Sequence, residues 1–169
     1  MGVIPTFYAI RRKNSMQAVI EEICKDIRNW FCSYDNGDIY KGKFNIEAGV
    51  VTGLEGTPTP PIINGSYYRI VGSLTTDGVV YAGTDYPADE TFTGEIWLLH
   101  FPEAFLNLCD EIAAWQAANS GAESTNMSPF TSESFGGYSY SKNGSGSSGG
   151  TAVSWKAQYG SRLNPWRKI

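Results

Sequence analysis

The chain has a single histidine, His100, among 169 residues, and that scarcity removes much of the usual hydrolase and transferase chemistry. A nucleophile needs a base beside it, and His100 sits in the apolar setting WLLHFP, where the reading as a structural histidine takes precedence over a general base. The three cysteines, Cys24, Cys32 and Cys109, form no CxxC or Cys/His spacing, so the sequence holds no metal signature, and reduced, buried thiols are predicted. A glycine-rich phosphate loop ending in Lys-Ser/Thr is missing, which leaves nucleotide binding without support. No run approaches the roughly 20 apolar residues that span a bilayer. The opening MGVIPTFYAIRRKNS places its apolar residues before its positive charges, the reverse of a secretory signal. Met1-Gly2 with Thr6 fits a myristoylation pattern only superficially, with no second anchoring signal. Together these absences predict a protein that is not an enzyme and has no cofactor, no metal and no membrane association.

Positive charge is also scarce, but unevenly so. From Tyr34 to Glu123 the only lysines and arginines are Lys41, Lys43 and Arg69, set among many aspartates and glutamates. After Gly150 the pattern inverts: Lys156, Arg162, Arg167 and Lys168 occur with no acid at all. An acidic body with a basic tail predicts that the tail is drawn to surfaces like the body's own, including another copy of the chain. The acidic run Asp85, Asp89, Glu90 lacks the spaced oxygens and fixed glycine of a calcium loop, and reads as a solvated or charge-repelling loop.

At this length the chain accommodates one domain with a real core plus appendages. Ser15 to Cys32 carries Met16, Val19, Ile20, Ile23, Ile27, Trp30 and Phe31 in the stripe of an amphipathic helix, with Ser15 as N-cap. Phe44 to Leu54 reads as short strands around a turn, and EGTPTPP as a proline-rich surface loop. Tyr67 to Leu74 and Val79 to Ala82 form a predicted hairpin across Asp77-Gly78, and TFTGEIWLLHF a last strand. Pro102 then opens a second helix bearing Phe105, Leu108, Cys109, Ile112 and Trp115, which Asn119 to Gly121 end. The predicted fold is α+β: amphipathic helices flanking a small antiparallel sheet or barrel, followed by an extended C-terminal arm. Residues 1–14 form an extension, 15–121 the body with a β insert at 38–99 and a helix at 102–119, 122–150 a Ser/Gly-rich linker, and 151–169 the arm.

The arm ends TAVSWKAQYGSRLNPWRKI, with Trp155, Tyr159, Leu163 and Trp166 recurring every three or four residues. These share one face of a helix that Gly160 and Asn164-Pro165 limit to about two turns. Interleaved Trp, Tyr, Lys and Arg also suit nucleic acid, but four charges on a tail contribute little and the acidic body repels phosphate. Simple disorder is the bland alternative, although disordered tails rarely carry such an apolar face. Contact with protein is therefore the expectation. The SESFGGYSYSKNGSGSSGG before it has the composition of a tether about 19 residues long, with an r.m.s. span of roughly 22 to 26 Å.

The succession YYRIVGSLTTDGVVY, DETFTGEIWLL, EIAAW, MSPFTSESFGGYSYSK and SRLNPWRKI resembles head-to-tail connector (neck adaptor) proteins of tailed bacteriophages and their prophages. The resemblance runs from about Ile20 to Ile169, leaving residues 1–14 outside it. It implies a structural virion protein that forms a closed ring with itself, usually of twelve copies, between the portal protein and the next neck or tail component. DNA then passes through the lumen without specific binding, and the ring assembles in the host bacterial cytoplasm. On that reading Trp155, Tyr159, Leu163, Trp166, Arg167 and Lys168 engage the portal or an adjacent subunit, while Asp85, Asp89 and Glu90 face the channel or another subunit. The rival is a small β-module that binds carbohydrate or nucleic acid through Tyr67, Tyr68, Tyr81 and Trp97.

Overall fold

The computed structural model describes residues 16–119, 132–135, 138–141 and 154–168, the second and third of these as backbone pairing. The amphipathic stripe forms α1 (Met16–Ile27), which buries Val19, Ile20, Ile23, Cys24 and Ile27. Each fully buried isoleucine contributes about 1.5–3 kcal/mol relative to leaving it in water. The predicted N-cap Ser15 lies outside the described residues. The helix stops five residues short of its predicted end, because Arg28 enters the left-handed region at φ 55° and the Asn29 amide reaches back to the Cys24 carbonyl at 3.1 Å. This is a Schellman closure with arginine where glycine is usual. Trp30 and Phe31 prolong the stripe in sequence, but they pack against the helical core from outside the helix.

Strands β1 (Ile39–Glu47) and β2 (Val50–Leu54) form a hairpin closed by Ala48-Gly49, both at positive φ. That is the twist a two-residue turn requires. Strands β3 (Tyr67–Val71) and β4 (Gly78–Tyr81) are the predicted second hairpin, and the 55–64 loop between the pairs is largely exposed, as its prolines dictate. The strand predicted last in sequence, β5 (Glu90–Leu99), is central in space: the order is β2-β1-β5-β3-β4, with β1 and β3 both antiparallel to β5. Gly94 lies where β5 runs close beneath β3, and a Cβ there would come within 2.1 Å of the Val71 carbonyl oxygen.

Phe44, Ile46 and Val51 from one edge share a buried cluster with Tyr68, Ile70, Val80 and Ala82 from the other. The sheet gathers these side chains on one face around Phe92 and Ile96 of the central β5. It does not close: β2 and β4 remain edges, so the sheet alternative of the prediction holds and the barrel does not. Pro102 precedes α2 (Glu103–Asn119), which buries Phe105, Leu108, Cys109 and Ile112 against α1. Tyr67, Val79 and Phe101 link this helical cluster to the sheet. The stretch predicted as linker contains a two-stranded hairpin, β6 (Ser132–Phe135) with β7 (Tyr138–Ser141), Phe135 opposite Tyr138 across Gly136-Gly137. Finally α3 (Trp155–Leu163) passes into a 3-10 turn at Asn164–Trp166.

Candidate functional site

The arm is seated on the body of its own chain. Ser154 caps α3, its hydroxyl accepting from the Ala157 amide at 3.2 Å, which satisfies one orphan donor of the first turn. Trp155 and Leu163 are buried in the α1–α2 cluster, Leu163 completely, and Tyr159 and Trp166 pack against it. The Trp166 ring meets Phe105 edge to face at 5.6 Å between centroids, and the Trp155 indole N–H donates to Glu22 Oε1 at 2.8 Å. Trp155, Tyr159 and Leu163 of α3 and Trp166 of the 3-10 turn that follows it, predicted on a single helical face, thus meet one surface of their own chain from two elements.

The polar contacts show why this end of α1 is the seat. A helix C-terminus presents carbonyls without partners and the negative end of the helix dipole. Here Arg167 donates to the Asp26 carbonyl at 2.8 Å and to its carboxylate at 2.9 Å, and the Lys168 amide donates to the Ile27 carbonyl at 3.0 Å. Asn29 Nδ2 donates to the Trp166 carbonyl, binding the two segments reciprocally. Lys156 reaches the other oxygen of Asp26 at 2.9 Å, and Arg162 grips Glu111 on α2 with two bonds. Burial works against the Asp26 carboxylate, but Lys156 and Arg167 outweigh it and hold its pKa below the usual value. Arg162 does the same for Glu111. Every carboxylate the arm engages lies on α1 or α2 of its own chain.

The acidic run behaves differently from a bare patch. Asp85 Oδ2 accepts from the Gln17 side chain and the Tyr81 amide, both at 2.8 Å, and Asp89 Oδ1 accepts from the Ala48 amide at 2.8 Å. Glu90 takes the Ser73 and Thr75 hydroxyls and the Leu74 amide. Those hydrogen bonds pull its pKa down to about 2. All three acids brace loops of the sheet: Asp89 pins the β1–β2 turn and Glu90 the 72–77 loop, which presents an almost fully exposed Leu74.

The aromatics of the rival β-module are engaged in packing. Tyr68 is buried, Tyr67 meets Tyr81 and Phe101, and Trp97 meets Trp30 edge to face at 5.8 Å between centroids, with the Arg69 guanidinium over both rings, 4.3 Å from the Trp30 centroid and 5.1 Å from that of Trp97. Sequence reasoning missed Arg69. It lies almost wholly inside the protein, 3.1 Å from Glu21 Oε1, and joins β3 to α1 and to the Trp30 segment. Glu21 also accepts from the Val79 amide and pairs with Lys25. A lone basic residue in a hydrophobic strand, two residues after Tyr67-Tyr68's first ring and within an acidic body, was the available signal. His100 pairs with the buried Asp38 at 3.0 Å, whose second oxygen accepts from the Ser33 amide. Burial pushes the Cys24 thiol well up, Cys109 to about 12 and Cys32 to about 11.

Beside Arg69 and Glu21 lies a cleft of about 570 Å³ between α1, the start of β4 and the 84–87 loop. Ala18, Val79, Val80 and Pro87 line it, and Glu22, Asp77 and Asp85 border it. Among the described residues no group of three His, Cys, Asp or Glu side chains is placed to hold a metal ion, and no helix is long and apolar enough to cross a membrane.

Fold and site together define an α+β domain with a self-seating C-terminal arm. Compared with known proteins, the chain matches no family model, no curated protein and no solved structure.

Proposed function

We propose that this chain is a structural subunit of a head-to-tail connector ring in a tailed bacteriophage or a related prophage, joining the portal to the neck or tail around a channel for DNA. The observation that carries the reading is the arm: a compact anchor of Trp155, Leu163, Tyr159 and Trp166 with its own matched seat, placed after a long connection. The ordered resemblance from YYRIVGSLTTDGVVY to SRLNPWRKI supplies the class of assembly. Residues 120–131 and 142–153 flank the β6–β7 hairpin, and each stretch reaches at most about 40 Å when extended.

An anchor and a seat on one chain are the parts of a domain swap, in which identical contacts form between neighbours. In the ring the arm of one subunit occupies the α1–α2 seat of the next or a like surface of the portal, with Arg167 and Lys168 closing on acids and helix-end carbonyls there. In the single chain the same contacts close on themselves, which keeps the apolar face covered before assembly. Asp89 and Glu90 lie toward the lumen or a subunit boundary, where carboxylates would repel passing DNA. The reading is tested by disrupting the coding sequence in the phage or induced prophage and imaging the products. Unjoined heads and tails, rejoined when the intact chain is resupplied, are expected; normal virions would overturn it.

A further inference from the structure

The cleft between α1 and β4 has an apolar floor, an acidic border and no described segment of the chain across it. Four carboxylates, Glu21, Glu22, Asp77 and Asp85, surround it against one lysine, Lys25. Glu21 is committed to Arg69, Lys25 and the Val79 amide, and Glu22 to Trp155 and Gln116. Asp77 is half exposed and forms a long ion pair to Arg69 at 3.7 Å. Tyr86 projects at the cleft mouth with three quarters of its surface in water. A site of this size and composition suits a peptide with apolar side chains followed by cations.

We propose that residues 1–15 of the same chain occupy this cleft. Their sequence supplies both complements: Val3, Ile4, Phe7, Tyr8 and Ile10 for the apolar floor, then Arg11, Arg12 and Lys13 for the acidic border. Position decides for this occupant over a foreign peptide. The described chain begins at Met16, one residue before Gln17, whose side chain lines the cleft and donates to Asp85 at 2.8 Å. Lys13 is three residues upstream of Met16, a reach of about 10 Å, so its charge falls near Asp85 and Asp77 without a long connection. A tethered segment of this kind binds at high effective concentration even where the separate peptide is weak. It covers the surface between α1 and the β3–β4 hairpin, and gives the extension a role independent of the connector assignment.

Zero-length carbodiimide crosslinking of the full chain, read by peptide mass spectrometry on an equal mixture of isotopically light and heavy protein, identifies the occupant. Lys13 joined to Asp77, Asp85 or Glu22 within one isotopic form is expected. Joins only between light and heavy chains would assign the cleft to another copy's segment and overturn the proposal, as would joins confined to acids elsewhere. Hydrogen exchange supplies the second readout. Charge reversal by Arg11→Glu, Arg12→Glu and Lys13→Glu, which retains the chain length, should make amides of 76–80 and 84–87 exchange several-fold faster while β5 is unchanged. Unaltered exchange across both segments would overturn the proposal as well.

Discussion

Leu163→Ala separates an arm that can open from one that belongs to the global core. Leu163 is completely buried in the α1–α2 cluster, and truncating such a leucine costs about 2–5 kcal/mol through lost transfer energy and the cavity left behind. Alanine is the best helix former, so α3 itself is not weakened. If the arm opens as its own unit, the whole cost falls on the docked–undocked equilibrium, changing it about 30- to 4,000-fold. Native-state hydrogen exchange under conditions where closing is fast reads that equilibrium directly. Amides of 155–163, with the Lys168 amide that bonds to Ile27, should exchange faster by a factor in that range, while the β3 and β5 amides keep their protection. Equal loss of protection in α3 and β5 would show that the arm unfolds only with the domain, and arm exchange between subunits would lose its physical basis.

Charge reversal gives a complementary prediction. A seat variant, Asp26→Lys with Glu111→Arg, and an arm variant, Lys156→Glu with Arg162→Glu and Arg167→Glu, should each assemble poorly alone, because every arm–seat ion pair is mismatched. Mixed, they should recover ring-sized particles by light scattering, since each arm then matches the other chain's seat; no recovery would place arm docking within single chains. Arg69→Met should cost about 3 kcal/mol in denaturant unfolding, the low end for breaking a buried pair because Lys25 and the Val79 amide remain with Glu21. Arg69→Met with Glu21→Met should recover part of that loss, and a change below about 0.5 kcal/mol in the single variant would refute the bracing role. Acid should loosen both loops and arm. Glu90, held at about 2, and Asp26 and Glu111, also lowered, bind protons more weakly folded than unfolded, so their stabilisation is present above about pH 4.5 and is lost as pH falls through the folded values. Glu90→Gln should flatten the steepest part of that decline in a pH series of unfolding midpoints; an unchanged profile would contradict it.

Much of this architecture is written in local periodicity. The stripes of α1 and α2, the Ala48-Gly49 turn region, the second hairpin and the apolar face of the arm all follow from spacings within a few turns or strands. The end of α1 does not, because Trp30 and Phe31 continue the stripe while Arg28 turns the backbone left-handed. The β6–β7 hairpin hid in serine-, glycine- and tyrosine-rich sequence whose composition also suits a tether. Long-range partners were the main loss. Nothing local to Arg69 predicts its place over Trp30 and Trp97, and the basic tail reads equally well toward any acidic surface until Asp26 and Glu111 are seen beneath it. For the same reason the acids 85, 89 and 90 look like a free patch in sequence, although each accepts backbone or side-chain donors that fix a loop.

The proposed connector role meets its most direct test in the particle mass of the intact chain, measured by light scattering after size exclusion, alone and mixed with a portal protein from the same phage or prophage. A ring-sized species, formed alone or on adding portal, is the predicted result. A strict monomer whose mass is indifferent to portal would contradict the assignment.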